Sequence, residues 1–268
     1  RVKEVNVHDV AFQYDTLTRA EVNLNRLYLM HIDTGYVRGD RFEIERFFDL
    51  EDITERVQGL TEYVAPALNE MFDIIAGPDP DTPIGPRCTS PHTCDLKDVC
   101  WSVLPDHNVT QFYRAGNRAF VLLDEGIFSI KDAPRSRMTA RQKIKQKAVV
   151  EGEIQVDREA LRRWLGGLEY PLYHLDFETM NPAVPPLTGT RPYQQIPFQF
   201  SLHIQQEPGA RPEHVEYLAT WEGDDLPGDP RPGLVDALMA IGSEGPILCW
   251  NMGFETGVLE DLAEMFPA

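Results

Sequence analysis

From Leu172 onward the order of apolar patterns leaves few folds open. Residues 172–179, 198–205 and 214–219 each read as a strand. A helical pattern follows over 234–241, then a short buried strand over 247–250, then a second helix over 255–265. The order β-β-β-α-β-α predicts an α/β fold with a mixed sheet flanked by helices. Residues 182–197, between the first two strands, are rich in Pro and polar side chains, and the length of that loop marks it as a functional rim.

The upstream part has a different texture. Val10, Ala11, Tyr14 and Leu17 place a helix over 9–20, and residues 27–32 form a short apolar strand closed by Asp33-Thr34-Gly35. Val57, Leu60, Val64, Leu68, Met71 and Ile75 make a helical stripe, which Pro66 is expected to kink and Gly77-Pro78 to end. A Pro- and Cys-rich loop runs over 77–101. Leu161, Trp164, Leu165 and Leu168 read as the core face of a helix capped by Asp157. The expected division is 1–105, a basic helical connector over 106–166, and 167–268.

Composition narrows the function classes. The 268 residues are 42% hydrophobic and 25% charged, which suits a globular chain. No stretch approaches the ~20 apolar residues of a membrane helix and there is no signal peptide, so a cytoplasmic protein without membrane contact is expected. Because the chain opens on Arg1 and closes on Phe266-Pro267-Ala268 straight after a helical pattern, it reads as an internal fragment of a longer protein. The net charge of −18 excludes a simple basic coat for nucleic acid, but not an enzyme that meets nucleic acid through metal ions. From Gly167 on there are 16 acidic and 3 basic residues. Lys131, Arg135, Arg137, Arg141, Lys143, Lys145 and Lys147 form the opposite bias, read either as a solvated connector or as a nucleic-acid contact.

Two constellations carry chemistry. In Leu175-Asp176-Phe177-Glu178-Thr179, residues two apart on a strand share a face, so Asp176 and Glu178 project together. Paired carboxylates repel unless a cation lies between them, and Mg²⁺ or Mn²⁺ prefer such oxygen ligands. Glu255 follows a short turn after the strand that holds Cys249. The plainer alternative is two solvated acids and a helix N-terminal acid favoured by the dipole. The second constellation is Cys88, Cys94 and Cys100, with His92 between the first two. Three thiolates suit a [4Fe–4S] cluster or Zn²⁺ once a fourth ligand joins, and three unligated thiols is the alternative. Cys249 reads as a small buried hydrophobe.

The segment Leu175 to Thr179 resembles the first motif of DEDD-type 3′–5′ exonucleases, whose fold is RNase H-like. Asn251-x-x-Phe254-Glu255 is similar to their second motif, with Glu where Asp is usual. Over most of its length the chain resembles a bacterial family of unknown function that joins a RecB-like nuclease module to such a domain. The stretches that carry this are Asp9 to Gln13, Tyr28 to Ile32, the three-cysteine loop, and Tyr173 to His203.

The resemblance implies a metal-dependent nuclease acting on DNA rather than RNA through a two-metal mechanism. Two divalent ions about 4 Å apart would serve phosphodiester hydrolysis. Asp176 would bridge them, with Glu178 and Glu255 as further ligands, and Asn251 and Tyr193 beside the substrate. Gln13 fits the helix glutamine of RecB-like modules, whose Glu-x-Lys strand would precede Arg1. The third exonuclease motif would lie beyond Ala268. The cysteines look like part of the iron–sulfur ligand set of such modules. The competing expectation is a non-catalytic scaffold or nucleic-acid-binding module with a degraded site.

Overall fold

The computed structural model describes residues 2–78, 80–220, 228–242 and 244–267. In chain order its elements are α1 (Glu4–Arg19), β1 (Tyr28–Ile32), α2 (Ile44–Phe47), β2 (Phe48–Asp52), α3 (Thr54–Gln58), α4 (Thr61–Ala76) and α5 (Lys97–Trp101). Then come α6 (Asn117–Asp124), α7 (Ala140–Glu151), α8 (Arg158–Gly166), β3 (Leu172–Met180), β4 (Ile196–Gln205), β5 (Glu213–Leu218), α9 (Arg231–Met239), β6 (Ile247–Leu248) and α10 (Met252–Met265). The fold is mixed α/β, and the order β-β-β-α-β-α from β3 onward is the one the apolar patterns predict.

The chain forms two compact units that do not follow the three-part division read from the sequence. One joins Asn25–Thr54 to Arg162–Ala268, and the other joins Lys3–Leu24 to Glu55–Leu161. In the first unit, β3 to β6 build a four-stranded sheet in the order β5-β4-β3-β6. β3, β4 and β5 are antiparallel neighbours, and β6 lies parallel to β3. Tyr173, Leu175, Phe177, Phe200 and Leu202 from one face of this sheet pack with Leu234 of α9 and Val258 and Leu262 of α10. Phe200 is 0% exposed at its centre. A tight approach supports the β3–β6 pair: the Tyr173 amide donates to the Pro246 carbonyl at 3.1 Å. Gly245 there has φ +124°, and a Cβ on it would stand 2.1 Å from the Pro171 carbonyl oxygen, so only glycine fits.

The same unit holds the antiparallel ribbon β1–β2, and the long loop before β4 is docked rather than loose. The Arg38 amide donates to the Thr190 carbonyl, the Gly189 amide donates to the Arg38 carbonyl, and the Arg38 guanidinium reaches the Pro185 carbonyl at 2.9 Å. Pro185, Leu187 and Thr190 are buried. Arg231 is also buried, and Asp229 holds its guanidinium by two hydrogen bonds of 2.8 and 2.7 Å.

In the second unit α1 packs on α4, with His8 edge-on to Tyr63 and Arg56 paired to Glu4. Val109, Phe112, Ala119, Leu123 and Ile130 form a separate core. Two buried glutamines of α7 close it: Gln142 donates to the Tyr113 carbonyl and Gln146 to those of Ile130 and Ala133.

Three expectations change here. The helical stripe from Val57 divides at Gln58–Thr61 rather than at Pro66, which lies inside α4. Its C-terminal half is open, Ile75 being 78% exposed, while its first turn meets α1 through Tyr63 and His8. Leu161, Trp164 and Leu165 of α8 are about half exposed and form no core face, although Asp157 does cap the helix through the Ala160 amide.

Candidate active site

The alternation of β3 sets the site. Leu175 and Phe177 are 5% and 3% exposed under the helices, which turns His174, Asp176 and Glu178 to the opposite, solvated face. Pairing with β4 places Asp176 opposite Ser201 and Glu178 opposite Gln199. The register then slips: Thr179 pairs with Pro197, so Phe198 is the extra residue of a bulge beside Glu178. Bulges re-aim side chains and are frequent next to active sites.

Glu255 arrives from the other direction. It lies in the first turn of α10, accepts the favourable dipole there, and is 2% exposed. Its Oε2 is buried with no hydrogen-bond partner. Cys249, just past β6, lies between the two approaches. Burial first, then the negative charges of Glu255 and Asp176, push its thiol pKa up, so the sulfur keeps its proton. Asp176 and Cys249 line one open cleft, and the charge of Glu255 also reaches the thiol, although the two acids come from different faces of the frame. Asn251 is the N-cap of α10, but its side chain makes no capping bond; the turn is closed by its carbonyl, which accepts the Phe254 amide at 2.8 Å. Among the described residues, no three His, Cys, Asp or Glu side chains are gathered in a ligating arrangement.

The other expected site residues are dispersed. Tyr193 is half exposed in the loop before β4, where its φ of +59° is unusual for a bulky side chain. Its amide is held by the Pro182 carbonyl at 3.0 Å. Gln13 belongs to the second unit and donates to Asp9 at 3.0 Å. In the cysteine loop, Cys88 is half-buried and its Sγ accepts the Gly85 amide at 3.5 Å, while Cys94 and Cys100 are exposed. All four cysteines are unpaired. Part of the basic run is spent on the fold: Arg137 chelates Glu125, Arg135 bonds Gln146, and Lys145 bonds the Gln111 carbonyl.

The sequence reading missed the place of Cys249 between two carboxylates. Its spacing from Glu255 is visible in the sequence, but its nearness to Asp176 follows only from the β3–β6 pairing.

Residues 173–268, about a third of the chain, match a family described as a domain of unknown function (DUF2779). The match spans β3 to α10, the whole four-stranded sheet with its two helices. Searches of the curated proteins and of the solved structures return no match. No described helix is long and apolar enough to cross a membrane.

Proposed function

We propose that β3 and the first turn of α10 form the divalent-metal site of a nuclease that hydrolyses DNA from its 3′ end. The observation that carries this reading is the Glu255 carboxylate: buried, with one oxygen lacking any partner. Buried polar oxygens are nearly always paired, so a lone one marks a place where a cation completes the set. The donors at hand are carboxylate oxygens, the ligand type of Mg²⁺ and Mn²⁺.

When bound, such ions supply an activated water and polarise the phosphate. The protein's own groups do the rest. Asp176 and Glu178 project from a rigid strand, and the bulge fixes the direction of Glu178. Asn251, exposed at the start of α10 and not used as a cap, is in place to touch the sugar-phosphate backbone.

Calorimetric titration of the chain with Mn²⁺ tests the site. Saturable binding that disappears in Asp176→Ala and in Glu255→Gln supports it, and Mn²⁺-dependent shortening of a 5′-labelled single strand would then show the reaction. Binding that persists in both variants overturns the assignment. A second reading is a scaffold that keeps the frame without the chemistry. It is favoured by the observation that the described carboxylates are not gathered as a ligand set, and it predicts no Mn²⁺ binding in any of the three proteins.

A further inference from the structure

The apolar core of the second unit is open on one side. A slot of about 460 Å³ reaches it, within the range of small-molecule sites, about 300–1,000 Å³. Phe112, Ala115, Ala119 and Leu122, all buried members of that core, line it, with Ala133 and Met138 from the segment after α6. The small side chains of the three alanines leave the room. Arg118, Val121, Leu122 and the C-cap Glu125 also line it, and their spacing of i, i+3, i+4 and i+7 makes one stripe along α6. The helical rise sets the ends of that stripe about 10 Å apart.

The two ends differ in charge. At one, Arg137 Nη1 reaches both carboxylate oxygens of Glu125, at 2.8 and 2.6 Å, so that pair is closed on itself. At the other, Arg118 is exposed and makes no ion pair among the described residues. Gln142, which also lines the slot, donates to the Tyr113 carbonyl at 3.0 Å, and the Arg114 and Arg141 guanidiniums lie 5.2 and 5.0 Å from the Tyr113 ring centroid. Residues 109–147 hold 9 basic and 3 acidic side chains in a chain of net charge −18. Anions are therefore drawn to this part of an otherwise acidic protein.

We infer that the slot binds a medium-chain carboxylate, with its hydrocarbon chain along the α6 stripe and its head group on Arg118. A guanidinium holds a carboxylate through paired N–H donors. A nucleic-acid strand would account for the cations but gains nothing from an apolar slot, because its affinity comes from phosphates. An apolar side chain of a partner protein would fill the slot but leave Arg118 unused. The slot lies within the second unit, and the inference does not depend on the proposed metal site.

Titration calorimetry with octanoate below its micellar concentration, beside octanol as the uncharged match, tests it. The expected result is one saturable equivalent of octanoate, with octanol at least about tenfold weaker. Arg118→Gln should weaken octanoate by about tenfold and leave octanol unchanged. Val121→Asn, which puts an amide into the stripe, should weaken both. Arg118 and Val121 are exposed, so both variants should keep the fold, checked by far-UV circular dichroism. If one fails to fold, the other carries the test. No saturable octanoate binding, or binding that survives both variants, overturns the inference. Equal affinity for octanol and octanoate also overturns it, and would mark the slot as a seat for an apolar side chain. Octanoate binding should be unchanged in Asp176→Ala, so this inference and the metal site fail separately.

Discussion

The carboxylate frame and the cysteine loop are both places where the sequence announces metal chemistry, and the fold treats them oppositely. Asp176 and Glu178 stand on a central strand whose other face is sealed against two helices, and Glu255 is buried in a helix turn. Cys88 ends a single 3-10 turn, Cys94 lies in the loop after it and Cys100 in the five-residue helix α5, and the last two are exposed. Regular elements hold a side chain in place through packing, whereas a loop holds one only through what it binds. The frame is therefore expected to exist before its ligand, and the loop to take its final form with one.

The largest expected effect tests the frame. Phe200→Ala removes the most buried ring of the sheet core and should destabilise by about 3–5 kcal/mol, read by urea unfolding. A loss under about 1 kcal/mol would mean that the sheet does not rest on this core. Asp229→Asn comes next. It leaves the buried Arg231 guanidinium with a weaker partner, but Asp229 is one-third exposed, so roughly 1–3 kcal/mol is expected. Burial alone would raise the Asp229 carboxyl, yet the hydrogen bonds and charge of Arg231 outweigh it and hold the pKa below its ordinary value. A lowered carboxyl stabilises above its unfolded pKa. Acid unfolding of wild type should therefore show a loss as pH falls through the carboxylate range, and the variant should show a smaller one.

Cys94→Ser and Cys100→Ser sharpen the other side. In chelator-treated protein each should change stability by no more than about 0.5 kcal/mol, because both thiols are exposed. In protein as purified, a loss several times larger would show that a cluster or Zn²⁺ already holds the loop. The smallest effect is kinetic: iodoacetamide should label Cys94 and Cys100 faster than Cys249, whose raised pKa leaves less thiolate at pH 8. Peptide mass spectrometry reads the order, and equal rates would remove the contrast between the regions.

Much of the frame was legible because its signals are local. Alternation showed which side of β3 is buried, and the spacing of Asp176 and Glu178 put both on the other side. What was not legible depends on pairing between distant segments. The register that sets Asp176 opposite Ser201 needs the pairing of two strands, and the bulge at Phe198, although Pro197 precedes it, shows only in that pairing. The docking of Arg38 onto Pro185 and Thr190 joins residues about 150 apart in sequence. The apolar stripe of α8 misled for the converse reason: periodicity shows that a face is apolar, not that this chain covers it.

Gly245 has a consequence for how such a sequence tolerates change. Its missing side chain lets the chain turn past Pro171 into β6, and β6 leads to Cys249, Asn251 and Glu255. In a library saturating every position, this glycine should be among the least replaceable, although it touches no substrate and titrates no proton. Alanine there would not remove a donor or a charge. It would displace the segment that delivers Glu255, and the loss would look chemical in an activity screen while being steric in origin.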